Sequence, residues 1–350
     1  GGGVDWQEHA GRLQDQVAEH AERLQEHGEK ARRLLGQGLR AARTRLQDVV
    51  SAVAGGEATV GHTRVRLGRE LAEGGFSKVF LARSLDGSQE YALKQIICYE
   101  KEAIEEAQKE LGILRQINHP NVIRVLDAGM SDYKPHPGAK DIMLLFPYYP
   151  RGTVWDQMVA AMESGAPWPL TERRCLQLFH GTCLGVAELH KIGFVHRDLK
   201  PLNVLLSERG APVVMDVGSA ARGPREVRDR REAMLMEDEA TAKCSAPYRP
   251  PELTQVEVGV VLDGAIDVWS LGCTLFCFAF GHSPFETPSE GISKLGILSA
   301  RFRFPNGNEH RGQVYSTDFC GFITQMLQTD PRQRPKINDV IQRTMTLLTG

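Results

Sequence analysis

Near the start of the chain, small or apolar residues recur at Leu13, Val17, Ala21, Leu24, Gly28, Ala31, Leu35, Leu39, Ala42, Leu46, Val49 and Val53. Steps of three and four, averaging about 3.6, follow one face of a straight α-helix rather than a heptad seam. The pattern predicts a long amphipathic helix or helical hairpin. It is weakened at Gly28, Gly36 and Gly38 by about 1 kcal/mol each relative to Ala. Gly55-Gly56 ends it, so residues 1–60 read as a helical extension with its linker. The period then changes to two. Val65 to Leu71, Phe80-Leu81-Ala82, Tyr91 to Lys94 and Leu144-Leu145-Phe146 read as strands, with a helix over 103–117 whose inner face is Ala107, Leu111 and Leu114. Past residue 150 the long runs are helical, as at Cys175 to His190. Val204 to Leu206 and Val213 to Met215 are short strands, and Thr274 to Phe280 is a buried helix.

Composition narrows the picture. A chain of 350 residues exceeds one small core and points to about two folded units. Lys and Arg number 42 against 44 Asp and Glu, a balance that gives no bias towards nucleic acid. Seven cysteines without a Cys-x-x-Cys pair argue for a reducing compartment. No N-terminal stretch has the apolar core of a secretory signal, and the 274–280 run is too short for a bilayer, so a soluble intracellular protein is expected. Within the extension the charge is segregated: Lys30, Arg32, Arg33, Arg40, Arg43 and Arg45 precede the next acid, Asp48. Residues 12–53 are expected to lie on an anionic membrane surface, at about 1 kcal/mol per basic residue, or to pack on a partner helix or their own domain.

Candidate chemistry centres on Val195-His196-Arg197-Asp198-Leu199-Lys200-Pro201-Leu202-Asn203. Asp198 is the candidate base for an attacking hydroxyl, Lys200 the charge that neutralises a travelling phosphoryl group, and Asn203 an amide oxygen for a hard cation. Asp216, thirteen residues after Asn203 in Asp216-Val217-Gly218, is the second candidate metal ligand. Upstream, Leu71 to Val79 places Gly74, Gly75 and Ser77 between strands, where backbone amides approach phosphates while Leu71 and Val79 press on a base. Taken alone, that glycine pair reads first as a plain hairpin turn. Ala92 leaves room for a flat ring. Lys94 is aimed at phosphates by Glu110, sixteen residues on. Pro147, Tyr148 and Tyr149 form a hinge that reads an adenine edge, with Phe146 behind the pocket and Leu205 below it.

Together the glycine loop, Tyr91-Ala92-Leu93-Lys94, His196-Arg197-Asp198-Leu199-Lys200-Pro201-x-x-Asn203, Asp216-x-Gly218, Pro250-Pro251-Glu252 and Asp267-Val268-Trp269-Ser270-Leu271-Gly272 resemble a eukaryotic protein kinase domain over about residues 64–348. Lys200 is similar to the serine/threonine class. Pro147-Tyr148-Tyr149, Arg151-Gly152-Thr153, Val214-Met215-Asp216 and Tyr248-Arg249 resemble the Numb-associated kinase family, in particular its myristoylated and palmitoylated branch. The resemblance implies an α+β bilobal fold, with a small β-rich N-lobe at 62–149 and a larger helical C-lobe at 150–350. It also implies ATP and Mg2+ as cofactors, protein Ser/Thr substrates and a Golgi- or membrane-associated location.

An enlarged, partly helical activation segment at 216–252 is implied as well, together with a Glu252–Arg334 ion pair. Arg197 is expected to receive a phosphate on that segment, with Thr241 the leading acceptor and Ser245 lining the substrate site. The charges of the segment read as an exposed helix with internal ion pairs, or as a substrate-docking surface. Departures from the pattern are Ala72 for the first glycine, Val217 for Phe or Leu, and Pro250 for alanine. A scaffold without catalysis is the rival reading. Gly1-Gly2-Gly3-Val4-Asp5 lacks a myristoylation serine and no cysteine precedes Cys98, so the helical extension is expected to replace a lipid anchor.

Overall fold

The protein is described here by a computed structural model covering residues 56–73, 77–287 and 291–350. The amphipathic helix expected over 12–53 lies outside those residues, as do Gly74 and Gly75. Six antiparallel strands form the first layer: β1 (Glu57–Val60), β2 (Thr63–Glu73), β3 (Ser77–Ser84), β4 (Glu90–Cys98), β5 (Asp127–Asp132) and β6 (Lys140–Pro147). Their order is β1-β2-β3-β4-β6-β5. The sheet therefore starts inside the stretch read as linker, and a boundary at 60–62 cuts the β1–β2 hairpin. Asp127 closes that hairpin, accepting from the His62 N–H at 2.9 Å and the Thr63 hydroxyl at 2.7 Å.

Strand alternation sorts β4 onto two cores. Tyr91 and Leu93 pack with Val65, Leu67 and Phe80 on the outer face, whereas Ala92 and Ile96 pack with Leu144 and Phe146 against the helix α1 (Lys101–Leu114). Lys94 shares the parity of Ala92 and points the same way. On α1 the buried residues are Ala107, Glu110, Ile113 and Leu114, so Ile113 lies deeper than the expected Leu111. Spacings of three and four keep Glu110 on that apolar face.

The C-lobe is built on α2 (Val154–Ser164), α3 (Glu172–Lys191), α4 (Arg230–Lys243), α5 (Pro251–Thr254), α6 (Ala265–Phe280), α7 (Lys294–Leu298), α8 (Thr317–Met326) and α9 (Ile337–Thr349). Helix α6 is buried from Ile266 to Phe280, as an all-round apolar helix must be. None of the described helices is long and apolar enough to cross a membrane. Two-stranded ribbons carry the loops: β7 (Phe194–Val195) pairs with β10 (Ala221–Arg222), β8 (Val204–Leu206) with β9 (Pro212–Val214), and β11 (Arg225–Glu226) with β12 (Val261–Leu262). The lobes are stitched where the Ile123 N–H donates to the Val214 carbonyl and the Val214 N–H donates to the Asn121 carbonyl, both at 2.8 Å. Helix α3 offers glycine to that turn: a Cβ at Gly185 would lie 2.4 Å from the Asn121 carbonyl oxygen.

Candidate active site

The sheet and α1 bring the first pair together. Lys94 Nζ donates to Glu110 Oε1 and Oε2 at 2.8 and 3.0 Å. Burial works against the ammonium, but Glu110 and Asp216 more than offset it and hold Lys94 above the usual lysine range. Asp216 follows β9 in a left-handed conformation (φ 60°) that turns its carboxylate towards the cleft, while Val217 is buried beneath it. Val217 packs in the same cluster as Ala107 and Leu114 of α1.

Asp267, fully buried on α6, holds the catalytic loop from below. It accepts the backbone N–H groups of His196 and Arg197, both at 2.8 Å, and faces His190 Nε2 at 2.8 Å. Burial disfavours the Asp267 carboxylate, yet His190, His196 and the Arg197 amide leave it below the usual range. Arg197 is pinned at φ 68°, a conformation that L-residues adopt only when the surroundings impose it. The next residue is Asp198. Its Oδ1 accepts the Ser245 N–H at 2.7 Å and its Oδ2 accepts Lys200 Nζ at 2.7 Å. Lys200 also donates to the Ser245 hydroxyl at 2.6 Å, tying the loop to the end of the 216–252 segment. Asn203 spends its amide N–H groups on Asp198, at 2.8 Å to the carbonyl and 3.2 Å to Oδ2, which leaves its amide oxygen for a cation.

Between the lobes lies a cavity of about 690 Å³. Leu71, Ser77, Val79, Ala92, Lys94 and Glu110 line it above, and Asn203, Leu205 and Asp216 below. Pro147, Tyr148 and Tyr149 close its back, where burial raises the Tyr149 phenol. A volume of this size suits a nucleotide. Across residues 65–345 the sequence matches the protein kinase domain.

The chain belongs to the protein kinase family.

Among its relatives, serine/threonine-protein kinase 16 of Rattus norvegicus is 36% identical over 81% of this chain and 90% of its own length. The Homo sapiens counterpart is 37% identical, over 77% of this chain and 85% of the relative. Serine/threonine-protein kinase ENV7 of Saccharomyces cerevisiae is 27% identical, with 81% and 91% covered. The kinase is thus one that phosphorylates serine and threonine.

Three features of this kinase escaped the sequence reading or differ from it. Thr153, Asp156 and Leu202 also line the cleft, and only their nearness to the hinge and catalytic loop signalled it. Glu239, on α4, occupies Arg197 at 2.7 Å, the place expected for a phosphate. Thr241 instead lies beside Arg249, whose Nη1 reaches its hydroxyl at 3.3 Å. The Glu252–Arg334 pair is present, bidentate at 2.7 and 2.8 Å.

Proposed function

We propose that the cleft transfers the γ-phosphoryl group of ATP to serine and threonine hydroxyls of proteins, its own chain included. The observation that carries the residue roles is the Asp198–Lys200–Ser245 arrangement, in which a carboxylate, an ammonium and a substrate-side loop are fixed within 2.6–2.7 Å of one another. Asp198 orients the incoming hydroxyl and takes its proton on a carboxylate oxygen. Lys200 stabilises the charge on the transferring group. Lys94, aimed by Glu110, binds the nucleotide phosphates, while the base lies between Val79 and Ala92 above and Leu205 below.

Protein kinase domains use Mg2+ with ATP, and the residues present fit that ion. Asp216 and Asn203 supply two hard oxygen donors, and among the described residues no cluster of three or more His, Cys, Asp or Glu competes for a metal. When bound there, Mg2+ neutralises phosphate charge. We assign the kinase to the Numb-associated family on the hinge and Val214 to Ser219 segments. For residues 12–53 we propose attachment to an anionic membrane, supported by the basic run from Lys30 to Arg45, with a cytoplasmic location peripheral at Golgi or other membranes. Co-sedimentation of the full chain with phosphatidylserine vesicles, but not with neutral ones, tests this. Equal partition into both removes the anionic preference, and sedimentation with neither removes the membrane role and leaves a partner helix.

The transfer itself is tested with radiolabelled Mg-ATP, a generic basic protein and the variant Asp198→Asn. Wild type is expected to label itself and the substrate. The variant is expected to lose about 10²–10⁴ in rate while ATP still raises its melting temperature. A wild type that binds ATP without transferring phosphate is a scaffold.

A further inference from the structure

Arg197 stands where three segments meet. Its side chain is 4% exposed. Nε donates to the Ser219 carbonyl at 2.7 Å, three residues past Asp216, and Nη2 donates to Glu239 Oε1 at 2.7 Å. The backbone N–H is fixed to Asp267, and the next residue is Asp198. A guanidinium at this depth requires a counter-charge, because an unpaired buried ion is strongly unfavourable.

Two more cations crowd the same place. Lys243 lies 3.9 Å from Glu239. Lys109, on α1, is pushed below the usual lysine range by burial and by Arg197 and Lys243. Glu239 thus faces three positive charges. Burial works against its carboxylate, but Arg197, Lys243 and Lys109 prevail and hold it below the usual range, so it is ionised at neutral pH.

The fold presents this anion without any modification. Helix α4 is capped by Asp229, which accepts the Glu232 N–H at 2.8 Å, and buries Ala233, Met236 and Ala240 against Val195, Leu253 and Leu262. Ser219 donates to the Lys243 carbonyl at 2.6 Å, so the far end of α4 is tied back to the Asp216 turn. Glu239 therefore lies on a fixed helix face.

We propose that Glu239 is a positioning residue for phosphoryl transfer. Its carboxylate holds Arg197 and, through Arg197, sets the Asp216–Ser219 turn against Asp198, so that catalysis needs no phosphate on residues 216–252. The kinase reading is not itself at stake in the test, because untreated wild type reports it separately.

The full chain is treated with a broad-specificity phosphatase, its phosphate content is read by intact mass, and initial rates are compared with Glu239→Gln and Glu239→Asp. Dephosphorylated wild type is expected to keep its kcat. Glu239→Gln is expected to lose about 10–100-fold in kcat with the KM for Mg-ATP within about twofold, and Glu239→Asp to recover most of the loss. Loss of wild-type activity on dephosphorylation overturns the proposal, as does a Glu239→Gln enzyme with unchanged kcat. A Glu239→Gln chain that fails to fold leaves the phosphatase comparison and Glu239→Asp to decide, and no activity in Glu239→Asp then counts against it.

Discussion

Arg334 is sealed from solvent by partners on every side. Glu252 binds it twice, the Gln328 and Ala265 carbonyls accept at 2.7 and 2.9 Å, and the Trp269 ring lies 5.0 Å from the guanidinium. Truncating one partner strands the other charge, so Glu252→Ala is expected to lower unfolding free energy by about 3–5 kcal/mol in a denaturant titration. A loss below about 1 kcal/mol would show that water reaches the pair. The sequence revealed this contact only through the family pattern, since residues 82 positions apart carry no shared period. Asp198, Lys200, Asn203 and Asp216 were legible because their chemistry demands short, ordered spacings. Glu239 was not, because it is one of three consecutive acids, Glu237, Asp238 and Glu239, and only the docking of α4 selects which one meets Arg197.

Elements were legible where their periodicity was strong. The alternation of β2 to β4 and the apolar run of α6 announced themselves, whereas α4 did not. Its buried stripe is Met236 between the small Ala233 and Ala240, diluted by seven charges from Arg230 to Lys243, so its docking face left almost no hydrophobic signal. The β1 strand was missed for a related reason: Glu57-Ala58-Thr59-Val60 follows Gly55-Gly56, and it is the pairing with Thr63 to Arg66 that makes it a strand. Close approach between elements is likewise invisible in a pattern. Gly185→Ala forces α3 off the Asn121 turn and is expected to destabilise by about 1–3 kcal/mol. Gly321→Ala on α8, where a Cβ meets nothing within 4 Å, is expected to stabilise by about 0.5–1 kcal/mol. Thermal unfolding of the two variants side by side reads the contrast, and equal shifts would mean that helix propensity alone governs both sites.

At the scale of the whole molecule, two sets of ionisable groups among the described residues respond to acid at different pH. His180 and His310 are held below the usual histidine range, His180 by burial and His310 by burial with His282 and Arg311 adding to it. Among the described residues, His180 Nδ1 and His310 Nε2 are buried without a hydrogen-bond partner, and the His310 ring packs edge-on to Trp168 at 4.7 Å. A histidine whose folded pKa is depressed binds more protons when unfolded, so its contribution to stability is complete well above the usual 6.5 and declines as pH falls below it. Asp267 and Glu239 are depressed acids, whose contributions persist until pH falls below the ordinary values of 3.8 and 4.5. The melting temperature is therefore expected to fall in two stages, a shallow loss beginning near pH 6.5 and a steep one below about pH 4.5. His310→Phe keeps a ring against Trp168 and removes the titration, so its melting temperature is expected to change less between about pH 7 and pH 5.5 than that of wild type. Parallel curves for the two proteins would assign the shallow stage to His180 or to other groups, and a matching His180→Phe measurement separates those sources.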